Sequence, residues 1–400
     1  MIVCSTRGRP TMAAPTNPSP AKVLQREQML TKKNYIPELN GLRGIAVLAM
    51  LIDHIHIDFQ FKQYFQGTTH LTSGVDIFFV MSGFLTTRIL LSDQETIRAK
   101  ISFYVRRFAR LMPAYLLFLS LVSVIWGVGP ELPWSLTYTF NYGRFFGYFL
   151  SEARPLAHTW SLCVEEHFYL VWPWILWTFK KQSKLLCVLA IACGLFFPFL
   201  TDKQAGEQYL HYIRVFQPTH ARLMSISIGC LIALYEEKIM LVPNIMLTLA
   251  VLFGSFSIIL GYPSVLHPIG VNISDTPLAV SLVQQNFIAA SIFSMALWSS
   301  LAECRFLSVL FTDRRLCRTG KISYGVYLYH FPIYWLFSIN GPSAEPSQYK
   351  PWLAMVCVFI MSAISNRYYE EPIRKWARNI IPRHRKEVLL GEINQTRVAL

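Results

Sequence analysis

Apolar stretches of about twenty residues recur along the chain, near 39–61, 70–91, 111–129, 160–180, 184–201, 220–236, 241–262, 279–302, 322–340 and 351–369. A run of that length, wound as an α-helix, crosses the roughly 30 Å hydrocarbon core of a bilayer. In lipid each backbone N–H and C=O must be satisfied inside its own segment, so successive runs of this kind fold as helices packed on helices. The expectation is an all-α, polytopic membrane helical bundle of about ten transmembrane helices. Composition agrees, with 53% of the 400 residues hydrophobic, more than a soluble domain of this length needs for its core. The segment 134–150 is aromatic but polar, and reads as an interfacial loop.

Charge sets the orientation. Lys and Arg collect on the cytoplasmic side of membrane proteins, and with the amino terminus inside, 26 of them fall in inner segments against 6 in outer ones. An eleventh span at 134–150 would place the basic later segments outside. Both termini are therefore expected in the cytoplasm, and the net charge of +14 reflects topology rather than a nucleic-acid partner. Residues 1–34, rich in Pro, Ser, Thr and charge, read as a disordered basic cytoplasmic tail without the apolar core of a signal peptide. A membrane domain follows over 35–378, and 379–400 form a second cytoplasmic tail. None of the eight cysteines falls in an outward loop, so a disulfide framework is not expected.

The first span carries groups that a lipid-facing helix should shed. The stretch "LRGIAVLAMLIDHIHIDF" holds Arg43, Asp53, His54 and His56, and an ionisable residue inside a membrane span faces a bundle interior or a water-filled cavity. Counting from the span ends puts His54, Asp76, Glu165 and Glu166 at one level, roughly 8 to 10 Å beneath the outer surface. Arg43 and His54 are eleven residues apart, so they share a helix face about 16 Å apart along the axis. A cation at the inner mouth and a base deeper in the protein suit an elongated anionic donor entering from the cytoplasm. In "FYVRRFARLMP", just below the second span, Arg106, Arg107 and Arg110 could clamp phosphates through charge-assisted bonds or could simply enforce topology. Arg222, at the outer end of the sixth span, is a candidate for acceptor contact or an ordinary interfacial arginine. Asp76 could equally hold helices together, paired with Arg43 or His54.

Six segments occur in an order that resembles the acyltransferase 3 family of bacterial membrane O-acyltransferases: "ELNGLRGIAVLAMLIDH", "GVDIFFVMSGFL", "FYVRRFARLMP", "HTWSLCVEEHFYLVWP", "GKISYGVYLYHFP" and "SNRYYEEPIRKW". The resemblance runs from about Tyr35 to Trp376. It implies a multi-pass protein of the bacterial inner membrane. The implied reaction is acyl transfer, most often of acetyl from cytoplasmic acetyl coenzyme A, to a hydroxyl of an extracytoplasmic carbohydrate such as an O-antigen or exopolysaccharide. It also implies that Arg43 and His54 are required, that Arg107 and Arg110 form the paired arginines of the third motif, and that Glu165 and Glu166 form the Glu pair that follows "HTWSL". Trp160, Ser161 and His330 lie inside family motifs and are candidates for acceptor binding. His167 stands where the family more often has Gln, and Tyr329 where it has Trp. Longer relatives add an extracytoplasmic domain, so transfer here is expected to be completed by the membrane unit or a partner.

A sugar hydroxyl is a poor nucleophile, and imidazole is the usual base for activating one near neutral pH. His54 is expected to take the acceptor proton, oriented by Asp53, Asp76, Glu165 or Glu166. Direct transfer and a covalent relay through His54, Ser82 or Ser161 both fit. No metal is expected. The rival from another class is a transporter or flippase of a lipid-linked sugar or anionic solute, since buried polar groups also line translocation paths.

Overall fold

The computed structural model describes residues 36–58, 71–93, 95–149, 155–202, 208–261, 277–338 and 349–380. The chain divides into two units, residues 1–37 and 38–400, and of the first only 36 and 37 are described. The tails expected over 1–34 and beyond 380 lie outside the described residues, as does the side chain of His56.

The described part of the second unit is helical, without strands. Its long helices are α1 (Glu38–Asp58), α2 (Ser73–Ser92), α3 (Ile97–Trp126), α6 (Trp160–Thr178), α7 (Ser183–Asp202), α9 (Leu223–Leu234), α11 (Asn244–Gly261), α12 (Pro277–Leu301), α14 (Arg314–Ser338) and α15 (Lys350–Ser365). Short helices lie between or after them: α4 (Glu131–Leu136), α5 (Phe140–Phe145), α8 (Gln208–Phe216), α10 (Glu236–Leu241), α13 (Arg305–Phe311) and α16 (Glu371–Ile380). Five helices, α2, α3, α7, α11 and α12, are long and apolar enough to cross a membrane. Their outward faces suit lipid. Val124 is 86% exposed and Leu200 66%, a density of bare apolar surface that water would not tolerate. The chain is a multi-pass membrane protein. The segment expected to be an interfacial loop forms the two six-residue helices α4 and α5, too short to span.

One boundary differs in a way that matters. The third span was expected to begin at 111, but α3 begins at Ile97, where Thr96 caps it by accepting from the Ala99 N–H at 3.2 Å. A capped start lets the helix run for 30 residues through the basic stretch. Arg106, Arg107 and Arg110 thereby lie within the bundle helix instead of in a loop beneath it.

Close backbone contact fixes the register of the central helices. A Cβ on Gly320 of α14 would collide with the Asn40 carbonyl, and one on Gly44 of α1 with that of Leu316. A second seam joins α2 to α9, where Gly83 meets the Ile226 carbonyl and Gly229 that of Val80. Small residues at such crossings allow the dense packing that substitutes, in lipid, for a hydrophobic driving force. The "GLRG" of the first motif is thus partly a packing requirement, and it sets α1 against α14 with the two running in the same direction.

Candidate active site

The ionisable groups expected at one depth occupy three tiers. Asp76 and Ser82 lie six residues apart on α2, about 9 Å along the axis. Asp76 bonds to Arg222 and Ser225, whereas Ser82 bonds to Glu165, so Glu165 is deeper than Asp76. On α14, Tyr324 lies one turn beyond Gly320 and donates to the Leu111 carbonyl at 2.8 Å, while His330, six residues further on, meets His54. Arg43 and Arg110 therefore belong with the deep group and His54 does not. The expected single level failed because the helices start at staggered heights: Gly74, near the start of α2, packs against Ala46 and Met50 in the middle of α1.

The inner tier is a cluster of cations and carboxylates. Ser82 donates to Glu165 Oε1 at 2.8 Å, and the Tyr169 hydroxyl lies 2.8 Å from Ser82 Oγ and 3.0 Å from Glu165 Oε2. Arg107 lies over the Tyr169 ring, 3.2 Å from its centroid, and its electrostatic neighbours are Arg110, Glu165, Glu166 and Arg43. Arg110 is exposed, and Arg374, Glu165, Tyr324 and Glu370 are among its electrostatic neighbours. A cavity of about 350 Å³ adjoins this tier between α3 and α6, lined by Arg107, Glu166, Tyr104, Tyr169, Phe108 and Leu170 among others. Arg43 adds a 3.3 Å bond to Asn40. Arg106 leaves the group: one residue from Arg107, it points about 100° away and bonds to Ser102 and, at 3.5 Å, to Asp93.

The middle tier is a buried ion pair. Arg222 Nη1 donates to both oxygens of Asp76, at 3.1 and 3.0 Å, Ser225 donates to Asp76 Oδ1 at 2.9 Å, and Arg222 Nε donates to the Phe216 carbonyl at 2.8 Å. The Trp160 ring covers the guanidinium at 5.0 Å. Asp76 therefore faces neither His54 nor Arg43, and Arg222 is no interfacial arginine. Both are buried and committed to each other.

The outer tier is built of imidazoles. His54 Nδ1 lies 2.7 Å from His330 Nε2, and no carboxylate expected to orient His54 touches it. Asp76 is taken by Arg222, and Glu165 by Ser82 and Tyr169; Glu166 lines the inner cavity. His330 Nδ1 is 2.6 Å from the Tyr327 carbonyl, and His158 Nε2 is 3.2 Å from that of Leu328. Ser161 is buried against Tyr327 and His158, and Trp160 is half-buried beside Phe79. His167, one departure from the family pattern, bonds to Thr219 at 2.7 Å. Tyr329, the other, bonds to Ser365 at 3.0 Å.

Among the residues of the site not singled out from the sequence, three lie within or beside the quoted motifs. His158 opens the quoted motif "HTWSL"; Tyr169 follows Glu165 by four, one helical turn; Arg374 lies in "SNRYYEEPIRKW".

Comparison with known proteins bears directly on this arrangement. The acyltransferase domain model of the acyltransferase 3 family matches residues 36–365. The peptidoglycan O-acetyltransferase OatA of Listeria monocytogenes is 29% identical over 381 residues, covering 86% of this chain and 56% of the relative. The O-acetyltransferase OatA of Staphylococcus aureus is 28% identical over 386 residues, covering 88% of this chain and 60% of the relative. The chain thus spans somewhat over half the length of these relatives. No solved structure matches it. With the family model aligned to nearly the whole described bundle, the chain belongs to the acyltransferase 3 family of acyl-transferring enzymes.

Proposed function

We propose that the protein is an O-acyltransferase of the bacterial cytoplasmic membrane, moving an acyl group, acetyl first, from cytoplasmic acyl coenzyme A to a hydroxyl of an extracytoplasmic carbohydrate. The ten long helices are its spans, with both termini inside. The observation that carries the reading is the placement of Arg43 and His54 on α1: eleven residues apart, they join the arginine cluster of the inner tier to the imidazoles of the outer one. A donor held by Arg43, Arg107 and Arg110 through its phosphates extends its thioester about 16 Å outward, toward His54. His54 takes the proton of the acceptor hydroxyl as its oxygen attacks the thioester carbonyl. The carbon–sulfur bond breaks, and the proton passes to the leaving thiolate.

The names of the relatives extend the acceptor class from O-antigen and exopolysaccharide to peptidoglycan. Protein reconstituted in vesicles, given labelled acetyl coenzyme A on the cytoplasmic face and surface glycan on the other, is expected to form alkali-labile O-acetyl ester, and His54→Ala to abolish it. Movement of a lipid-linked sugar without ester would replace this reading with the transporter.

A further inference from the structure

We infer that His330 is the positioning residue of an all-imidazole pair, holding His54 in the tautomer whose Nε2 offers its lone pair to the acceptor hydroxyl. The inference rests on the proposed role of His54 as base.

Protons can be assigned from what each partner is able to do. The Tyr327 carbonyl only accepts, so His330 Nδ1, 2.6 Å away, carries the hydrogen. A neutral imidazole has one N–H, which leaves a lone pair on His330 Nε2. That atom lies 2.7 Å from His54 Nδ1, so Nδ1 of His54 donates and its Nε2 is bare. The two rings are parallel to 1° with centroids 4.9 Å apart; with nitrogens at 2.7 Å they lie edge to edge in one plane, the geometry of an in-line N–H···N bond rather than a face stack. His54 Nε2 has no hydrogen bond to any described residue, and His54 is only half-buried. When Nε2 takes a proton, His54 keeps its Nδ1–H and the bond to His330 becomes charge-assisted and stronger. The proton later leaves from the same Nε2, so neither ring has to turn.

The frame around His330 is unusual for a helix interior. Pro332 lacks the N–H that would have bonded the Leu328 carbonyl. His158 supplies that bond through Nε2 and sets its ring at 4.9 Å from that of His330, edge to face. His158 Nδ1 is left buried without a partner, so this third imidazole is neutral as well. His158 and Pro332 thus act as one device that keeps His330 aimed at α1.

The test combines two measurements on the full chain in detergent or vesicles. Nitrogen-15 NMR of histidine-labelled protein, with resonances assigned by their loss in His54→Gln and His330→Gln, should show Nδ1–H with a bare Nε2 for both residues. Finding Nε2–H on His54 overturns the inference whether or not transfer is observed. In the transfer assay, His330→Ala should lower kcat roughly 10²-fold or more, with KM for acetyl coenzyme A changed little. His330→Gln, whose Oε1 can accept from His54 Nδ1, should recover at least about tenfold over Ala. If Gln is no better than Ala while both variants remain monodisperse, or if Ala retains full activity, the pair is only a contact between helices. Retention of activity in His54→Ala would instead sink the reading beneath it.

Discussion

Removing the carboxylate of Asp76 should cost stability, not chemistry. In Asp76→Ala, Arg222 loses two N–H···O bonds of 3.0 and 3.1 Å and Ser225 loses one of 2.9 Å. The guanidinium remains 3% exposed, left with the Phe216 carbonyl and the Trp160 and Phe216 rings. Stranding one charge of a buried pair costs about 3–5 kcal/mol, a large fraction of the roughly 5–15 kcal/mol that stabilises a folded domain. Removing both charges should cost far less, because well-packed apolar replacements of a buried pair are often neutral. The assay is the fraction of monodisperse protein surviving a heating series in detergent, followed by acetyl transfer per surviving molecule. Asp76→Ala should lose most of its protein at temperatures the parent survives, and Asp76→Leu with Arg222→Met should regain much of it. Each surviving molecule should still transfer acetyl groups. A variant with unchanged heat resistance and no activity would refute the argument and return Asp76 to the chemistry.

Arg107→Ala should raise KM for acetyl coenzyme A about ten- to hundredfold with a smaller effect on kcat, because a charged hydrogen bond of about 1.5–3 kcal/mol is lost from donor binding; initial rates over a donor series measure it. Gly320→Val places side-chain atoms against the Asn40 carbonyl and should cost about 1–3 kcal/mol while parting His54 from His330, whereas Gly129→Ala, with nothing around it, should behave as the parent in heating and transfer assays alike. Asp313 caps α14 by accepting the N–H groups of Leu316 and Arg315 at 3.0 and 2.8 Å, and the Leu316 bond leads in holding its carboxyl below the usual range. A depressed carboxyl stabilises the fold above its unfolded pKa and loses that contribution as pH falls through the folded value. The advantage of the parent over Asp313→Ala in a heating series should therefore be full at pH 7 and shrink in acid.

Helix positions were legible in the sequence because apolar length is a strong constraint in lipid, and the shared face of Arg43 and His54 follows from their eleven-residue spacing alone. Depth was not legible. Asp76, Glu165 and His54 count alike from their span ends, but contacts such as Gly74 on Met50 stagger those ends, and a count along one helix knows nothing of its neighbour. Partner choice was hidden for a related reason. Which carboxylate would meet His54 depends on the rotation of three helices about their axes, and the outcome was none of them: His330, separated by 276 positions, fills that place. The basic stretch of α3 was misplaced because its charges look like a loop until Thr96 is seen capping a helix that continues through them.

The glycine seams bear on how such a protein moves. Where backbone rests on backbone, as at Gly44 with Leu316 and Gly83 with Ile226, one helix cannot slide or roll on the other without steric overlap along the whole crossing. The pairs α1 with α14 and α2 with α9 are therefore expected to move as rigid bodies, with the imidazole pair travelling as a unit. The cavity lies elsewhere, between α3 and α6. Breathing that admits or releases a reactant is expected to be concentrated at that seam, leaving the distance between the two rings constant through the cycle.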